Sequence, residues 1–471
     1  MPKKIRFVFL FIIFGLTVDD ARAVTLEELD AKVNDMAAEN KELKEKVRLL
    51  ESRPSGSSSS NASGLVQLNH QFSYDMLDAT TRINRKELYI LQKKQSGELT
   101  SDSVILGGAV TSMADYQKSN LDHKFSYLMR QPTVSNQVGR EVSEAVVHSA
   151  QIGLTAAIGE WVAAQMDVLY EPEQSFGAGT NTALARNLLQ MRRAYVLLGN
   201  LEKSPFYASI GKSATPFGLT DTVNPFTAST VWHAFGGLAN GVTLGFLKNG
   251  LRLSFMGVEG GAQFRSNNTS VAGTAVPSRL DNFSADANYT HEFDKKTSLL
   301  VGTSYQRGSA YCQDFPITHF AACKDNNAAF DVYSQLGLTD LTLQAEIAQT
   351  ENVWPGTFNP AIPQFAASRV TSFGAGGKYR MSLAKKPLDL SGEFSRFVAG
   401  PNGAPWEFQD QWVWGLASFI EPSVKLFAEY IHIAGYAPLN FISGGNVPTG
   451  QTHSDDSGRN DLYVVGVNAA F

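Results

Sequence analysis

The chain has 471 residues, of which 43% are hydrophobic, 11% aromatic and 18% charged, and its formal net charge is −5. Ordinary soluble domains carry about 25% charged residues, so this composition favours a protein with much apolar surface. The acidic balance supplies no basic patch and argues against a nucleic-acid partner.

Residues 1–23 have the pattern of a secretory signal peptide. Basic residues precede an apolar run from 7 to 18, and a small-x-small cleavage site follows at 21–23. The run is too short to cross a bilayer as a helix, which needs about 20 residues, so an uncleaved anchor is disfavoured. We therefore expect export through the Sec pathway and a mature chain that begins at Val24.

Residues 24–53 predict an α-helical coiled coil, because their seam positions recur on a seven-residue repeat. A single helix of this length is marginal in water, so the seam needs partner helices. We expect a homo-oligomer, with dimer and trimer both open. The seam positions are Leu26, Leu29, Val33, Met36, Asn40, Leu43, Val47 and Leu50.

A Ser/Gly-rich linker at 54–64 separates the coil from residues 65–471, where the period changes from 3.5 to 2. Segments 150–158 and 162–170 alternate apolar and polar residues, and Lys248-Asn249-Gly250 predicts a tight hairpin turn. Near-continuous hairpins over about 400 residues predict an all-β fold, a closed antiparallel transmembrane barrel of about 16 strands. A soluble β-sandwich is the alternative, but closure satisfies every backbone group in lipid.

The last predicted strand ends the chain on an aromatic residue. Tyr463, Val465, Val467, Ala469 and Phe471 share one face. This arrangement resembles the terminal signal by which outer-membrane barrels are recognised, so Phe471 is the candidate contact for the barrel assembly machinery. We expect a location in the outer membrane of a Gram-negative bacterium, with its lipid as a partner.

The connection around 213–241 is long enough to fold into the lumen, where Asp221 and His233 would narrow a pore. An ordinary surface loop is the other interpretation. Arg192 and Lys212, in the strands just before this connection, are further pore-lining candidates.

Three later segments share one pattern, in which a glutamate lies opposite leucine and alanine positions. The glutamates are Glu346, Glu393 and Glu429. If the apolar set faces lipid, the carboxylates face the lumen, where they attract cations or pair with arginines of the wall.

The two cysteines, Cys312 and Cys323, are separated by ten residues. In an exported protein we expect them to form a disulfide, and without a nearby histidine pair they make no zinc site. Adjacent strand residues such as His148 and Ser149 are expected to face opposite sides, and no catalytic motif is present. The sequence predicts no enzyme, no metal and no cofactor.

Several short motifs carry a family resemblance. Together with the signal peptide, coil and linker, they resemble the LbtU-like siderophore porins, a family named for the legiobactin receptor. The motifs are Arg193-Ala194-Tyr195, the stretch from Gly211 to Pro216-Phe217-Gly218, Phe330-Asp331-Val332-Tyr333 and Ala428-Glu429-Tyr430.

The resemblance implies passage of a ferric siderophore, or a similar small solute, through a barrel of about 16 strands without the plug domain of energy-coupled receptors. The sequence leaves no room for a plug of about a hundred residues between linker and first strands, which favours passive or facilitated entry. A general diffusion porin, or a structural barrel whose coil tethers the envelope, are the alternatives.

Overall fold

A computed structural model describes most of the chain beyond the linker. The signal peptide, the coiled-coil positions from Leu26 to Leu50, the linker and Cys323 lie outside the described residues, so the hypotheses that concern them stay predictions. The described residues are 66–77, 86–125, 139–170, 189–219, 221–259, 280, 282–312, 326–358, 365–437, 452 and 454–471.

The described residues form a sheet of 17 strands with short helices inside it. The helices are α1 (His70–Asp75), α2 (Lys86–Gln95), α3 (Thr230–Phe235) and one 3-10 turn (Pro355–Thr357). The strands are β1 (Val66–Gln67), β2 (Ser103–Ser119), β3 (Glu141–Ile158), β4 (Val162–Tyr170), β5 (Leu189–Gly199), β6 (Phe206–Ala214), β7 (Leu238–Lys248), β8 (Leu251–Val258), β9 (Asn282–Glu292), β10 (Ser298–Gln306), β11 (Ala329–Gly337), β12 (Leu341–Val353), β13 (Arg369–Leu383), β14 (Lys386–Val398), β15 (Phe408–Glu421), β16 (Val424–Tyr436) and β17 (Asp455–Ala470).

Strands β2 to β17 close into a ring in which each strand pairs antiparallel with both neighbours. The ring closes where β17 pairs with β2, for example at Tyr463↔Tyr116. The short β1 adds two parallel pairs to β2, beyond the end of β17. The predicted closed, antiparallel 16-stranded barrel is confirmed, and the ring leaves no unpaired edge in a nonpolar medium.

The two ends of the barrel differ in their connections. Turns such as 249–250 and 384–385 join strands at one end, and longer segments such as 215–237 and 399–407 join them at the other. Asn249 and Gly250 have φ angles of 51° and 79°, so β7 turns directly into β8, as the sequence predicted. We call these the short-turn end and the long-loop end.

The outer face of the wall is apolar and carries a row of aromatic rings. Neighbouring ring centroids in this row are 4.4 to 6.5 Å apart. Nearer the long loops, charged pairs follow on the same face, such as Lys118 with Glu141 (3.1 Å). An apolar band edged by aromatic side chains is the lipid-facing wall of a membrane barrel. The row comprises Phe394, Trp412, Trp414, Tyr430, Tyr463 and Tyr116.

The first strand of the 16-stranded ring, β2, begins at Ser103. The described residues before it include 66–77 and 86–95, which lie within the short-turn end; we call these two segments the N-terminal insert. Lys86 at the start of α2 is buried and donates to the carbonyl oxygens of Leu77 (2.9 Å) and Met76. Among helices of the described residues, none is long and apolar enough to span a membrane.

An apolar cluster holds the insert against the lumen face of the wall. Leu91, which is only 2% exposed, packs in one cluster with Ile105 of β2 and Leu197 of β5. At the start of α1, the Asn69 side chain accepts the N–H of Phe72 (2.9 Å) and caps the helix. The insert therefore occupies part of the barrel mouth through buried contacts.

Candidate functional site

The connection 215–237, of which residue 220 lies outside the described part, folds into the lumen; we call it the inner loop. Its backbone has no strand partner there, so wall side chains satisfy its polar groups. The N–H of Gly218 donates to Ser304 Oγ (2.8 Å), and the N–H of Thr230 donates to Ser395 Oγ (3.1 Å). The sequence left open whether this connection is a surface loop or folds into the lumen. In the structure it folds into the lumen.

Two of the glutamates that share the repeated sequence pattern bind the inner loop. Glu346 Oε1 accepts the N–H of Leu219 (2.7 Å). Glu429 Oε1 accepts the N–H groups of Phe226 (2.7 Å) and Thr227 (3.0 Å). Both carboxylates are buried, so charge-assisted hydrogen bonds to the backbone replace the water that they lose.

The third glutamate, Glu393, holds the loop between these two points. It accepts hydrogen bonds from Thr222 Oγ1 (3.1 Å), Asn224 Nδ2 (3.1 Å) and the N–H of Val223 (3.4 Å). Gln344 Nε2 also donates to it, at 3.3 Å. From the sequence, these glutamates were expected to attract cations or to pair with arginines of the wall. In the structure they accept hydrogen bonds from the inner loop.

The three glutamates are evenly spaced around the wall. They lie on β12, β14 and β16, every second strand, and strands are about 4.8 Å apart, which makes each step about 10 Å. Their partners among the described residues of the loop are also three or four positions apart, from Leu219 to Val223 and on to Phe226 and Thr227. The loop thus runs across the wall with one carboxylate for each step.

Wall donors satisfy the carbonyl groups of the same loop. Lys425 Nζ donates to the carbonyl of Pro225 (2.6 Å), and Gln411 Nε2 donates to that of Ala228 (2.9 Å). Sequence reasoning missed Lys425. Its position four residues before Glu429, on the same face of β16, is the signal that could have indicated it.

The second half of the inner loop has a hydrophobic core at the long-loop end. Ser229 caps α3 by accepting the N–H of Trp232 (3.2 Å). His233 is buried there, with its ring 5.0 Å from that of Trp232, so it lies in the packed core and not in the open lumen. The cluster includes Phe217, Trp232, Phe235, Tyr311, Trp354, Phe397 and Trp406.

Arg192 and Lys212 lie on another arc of the ring. A bulge in β5 breaks the register at Arg192, which is buried beside Arg193. Arg193 Nη1 is 3.4 Å from Asp167 Oδ2. Lys212, two residues before β6 ends, donates to the carbonyl of Met191 (3.1 Å), so it is held at the backbone of β5.

A cavity of about 730 Å³ lies in the lumen between the insert and the inner loop. Its lining extends from Asp221–Pro225 of the inner loop to Tyr74 and Tyr89 of the insert and to the turn at Gly250. We call it the inner cavity. The lumen is therefore narrowed at two levels, by the inner loop and by the insert at the short-turn end.

The other predicted residues have mixed outcomes. Cys312 is disulfide-bonded, and because Cys323 lies outside the described residues its pairing stays a prediction. The expectation that His148 and Ser149 face opposite sides is wrong: a bulge in β3 breaks the alternation there, and His148 Nδ1 lies 3.3 Å from Ser149 Oγ. Phe471 is exposed at the short-turn end, where its backbone bonds Gly108 in both directions.

A lipid-facing 16-stranded barrel with short turns at one end and a long loop folded into its lumen has the architecture of a porin. The chain has that architecture, which is typical of barrels of the outer membrane. Within the described ranges, no group of three or more His, Cys, Asp or Glu side chains is placed to hold a metal ion.

No model of a known protein family matches the chain. It is similar to the UPF0422 protein of Coxiella burnetii, with 25% identity over 319 residues, covering 65% of this chain and 62% of that relative. The match thus spans less than two thirds of the relative's length.

The chain is also similar to solved porins at low sequence identity. The anion-selective porin from Comamonas acidovorans has a TM-score of 0.49 and 14% identity, covering 78% of this chain and 99% of its own. OprB of Pseudomonas putida has a TM-score of 0.48 and 9% identity, covering 78% of this chain and 94% of its own. OmpF of Salmonella typhi has a TM-score of 0.44 and 13% identity, covering 78% of this chain and 97% of its own.

Proposed function

We propose that this barrel is a selective channel through which a small solute crosses the outer membrane passively. The observation that carries the proposal is the inner loop, which three buried glutamates hold across the lumen at Glu346, Glu393 and Glu429. A loop fixed by this many hydrogen bonds keeps one shape, and a fixed narrow passage discriminates between solutes by size and chemistry.

A ferric siderophore is the specific solute that we propose. The resemblance of the short motifs to the LbtU-like siderophore porins supports it, as does a cavity of about 730 Å³, because sites for small molecules usually enclose about 300 to 1,000 Å³. The insert is far smaller than a plug domain of about a hundred residues, which favours entry without energy coupling.

Uptake of labelled ferric siderophores by a strain lacking the gene, with and without the gene restored, tests this proposal. We expect restored uptake of at least one siderophore, and a growth defect of the deletion strain only under iron limitation. If uptake is unaffected across several siderophores while liposomes containing the protein swell in unrelated sugars of similar size, the protein is a general diffusion porin.

The predicted coiled coil requires a separate test, because oligomerisation or tethering of the envelope would be its role. A chain lacking residues 26–50 should lose oligomers in detergent while the barrel still folds. Unchanged oligomers, envelope integrity and transport in this variant would count against the tethering role.

A further inference from the structure

We infer that the inner cavity binds an uncharged solute rich in hydroxyl and carbonyl groups. The inference rests on the proposed channel function and adds the chemical class of the solute. It follows from two properties of the lining: its positive and negative charges nearly balance, and several of its uncharged polar side chains make no hydrogen bond within the described part of the protein.

Most cations of the lining are held by groups of the protein itself. Arg380 forms a bidentate pair with Asp389, with both N–O distances at 2.7 Å. Lys425 donates to the carbonyl of Pro225 (2.6 Å), and Lys86 donates to that of Leu77 (2.9 Å). Each of these cations therefore already has a partner in the wall, the loop or the insert.

The remaining charges nearly cancel. Asp75 accepts hydrogen bonds from Tyr89 Oη (2.5 Å) and from Gln71 Nε2 (2.9 Å). Arg252 is buried and interacts with Tyr207 and Asp286, while Asp221 accepts the N–H of Thr222 (3.0 Å). Two charged lining residues are left, Lys378 and Glu292, one of each sign.

Uncharged polar side chains supply the open hydrogen-bonding groups. Gln92 of the insert, Thr290 of β9 and Thr342 of β12 all line the cavity. Within the part of the chain that the structure describes, their side chains make no hydrogen bond. They are available to a solute, or to the water that a solute replaces.

A site that binds an ion presents a surplus of the opposite charge, since the ion must recover its lost hydration. The inner cavity has no such surplus. An uncharged solute loses less hydration, and hydroxyl and carbonyl groups can exchange their bonds to water for bonds to Gln92, Thr290 and Thr342. A neutral oligosaccharide and a ferric chelate of zero net charge share this chemistry.

The experiment is block of the ion current through the purified full-length protein in planar bilayers, with solute added at the short-turn side. Two matched pairs of probes separate charge from size. Maltotriose is compared with its aldonic acid, which adds one carboxylate. Ferrichrome, an uncharged ferric trihydroxamate, is compared with ferrioxamine B, a cationic ferric trihydroxamate.

We expect the neutral member of at least one pair to block with a Kd about tenfold lower than its charged partner. Block by maltotriose alone assigns a saccharide, and block by ferrichrome alone assigns a chelate. If charged and neutral partners block equally, or the charged ones block better, the inference is overturned while the channel stands. If the protein conducts no ions and admits no solute, the proposed channel function itself fails.

A pair of variants locates the site. Thr290→Ala with Thr342→Ala removes two hydroxyls from the lining and should raise the Kd of the neutral solute about tenfold, as expected for two lost hydrogen bonds. Thr371→Ala removes one threonine hydroxyl from the outer face of β13 and should leave the Kd unchanged. Equal effects of the lumen variant and the outer-face control would place the block outside the inner cavity and overturn the inference.

Discussion

Glu429 Oε1 accepts the backbone N–H of Phe226 at 2.7 Å, across 203 positions of the chain. The same loop residue stacks its ring on Phe427, with centroids 5.0 Å apart and planes 8° from parallel. Phe427 and Glu429 are neighbours on the lumen face of β16. One strand therefore holds the loop both by a buried carboxylate and by a stacked ring.

Removing this carboxylate should loosen the inner loop. Glu429→Ala leaves the buried N–H groups of Phe226 and Thr227 without their acceptor, and each such loss costs about 1 to 3 kcal/mol. Glu429→Gln keeps one acceptor oxygen and should cost less. Unfolding in guanidinium chloride measures both changes. Glu141→Gln, on the outer face, is the control. A Glu429→Ala protein as stable as this control would contradict the role of Glu429 in holding the inner loop.

The insert should limit the current at the short-turn end. Leu91→Ala opens a cavity in its apolar cluster, a change that typically costs about 2 to 5 kcal/mol, and a weakly docked insert should allow a larger conductance. Leu198→Ala shortens a leucine on the outer face of β5 and should leave conductance unchanged. Equal conductance of both variants would show that the insert does not limit the current.

The depth of the outer face in the bilayer can be tested by charge. Ile347 lies midway along β12 and Leu383 lies beside the turn 384–385, both exposed on the outer face. Ile347→Arg should destabilise the barrel by about 2 to 4 kcal/mol in lipid vesicles, and Leu383→Arg by about 0 to 1 kcal/mol. Unfolding titrations in vesicles give both values. Equal costs would argue that this face does not cross the hydrocarbon layer as described.

The insert should also respond to alkaline pH. Burial, and then the hydrogen bond to Asp75, hold the pKa of the Tyr89 phenol well above its usual range. The unfolded chain releases this proton above pH of about 10 while the folded chain keeps it, so stability falls as pH rises further. Thermal unfolding should show a smaller alkaline loss for Tyr89→Phe than for wild type. An identical loss in both proteins would exclude Tyr89 as its source.

The sequence predicted those parts of the fold that depend on local alternation. The turn at Lys248-Asn249-Gly250 and the shared face of Tyr463, Val465 and Phe471 follow from a period of two and from residues that accept positive φ. Bulges are harder to predict, because one inserted residue reverses the faces without changing composition. The contact between His148 and Ser149 was missed for that reason.

The sequence predicted the wall side chains of the candidate site but not their partners in the inner loop. The repeated pattern around Glu346, Glu393 and Glu429 indicated carboxylates in the lumen, but their partners are mostly backbone N–H groups of the inner loop. Backbone donors leave no mark in a sequence. The insert was missed because α1 is six residues long and α2 ten, too short for a clear helical period.

The central claim is that three glutamates hold the inner loop so that it narrows the channel. Its most direct test compares the single-channel conductance of the wild type with that of the triple variant Glu346→Ala/Glu393→Ala/Glu429→Ala. We expect small, stable current steps from the wild type. The triple variant, whose loop has lost its three carboxylates, should give larger and noisier steps. The claim would be contradicted if the wild type conducts no ions, or if the triple variant conducts like the wild type.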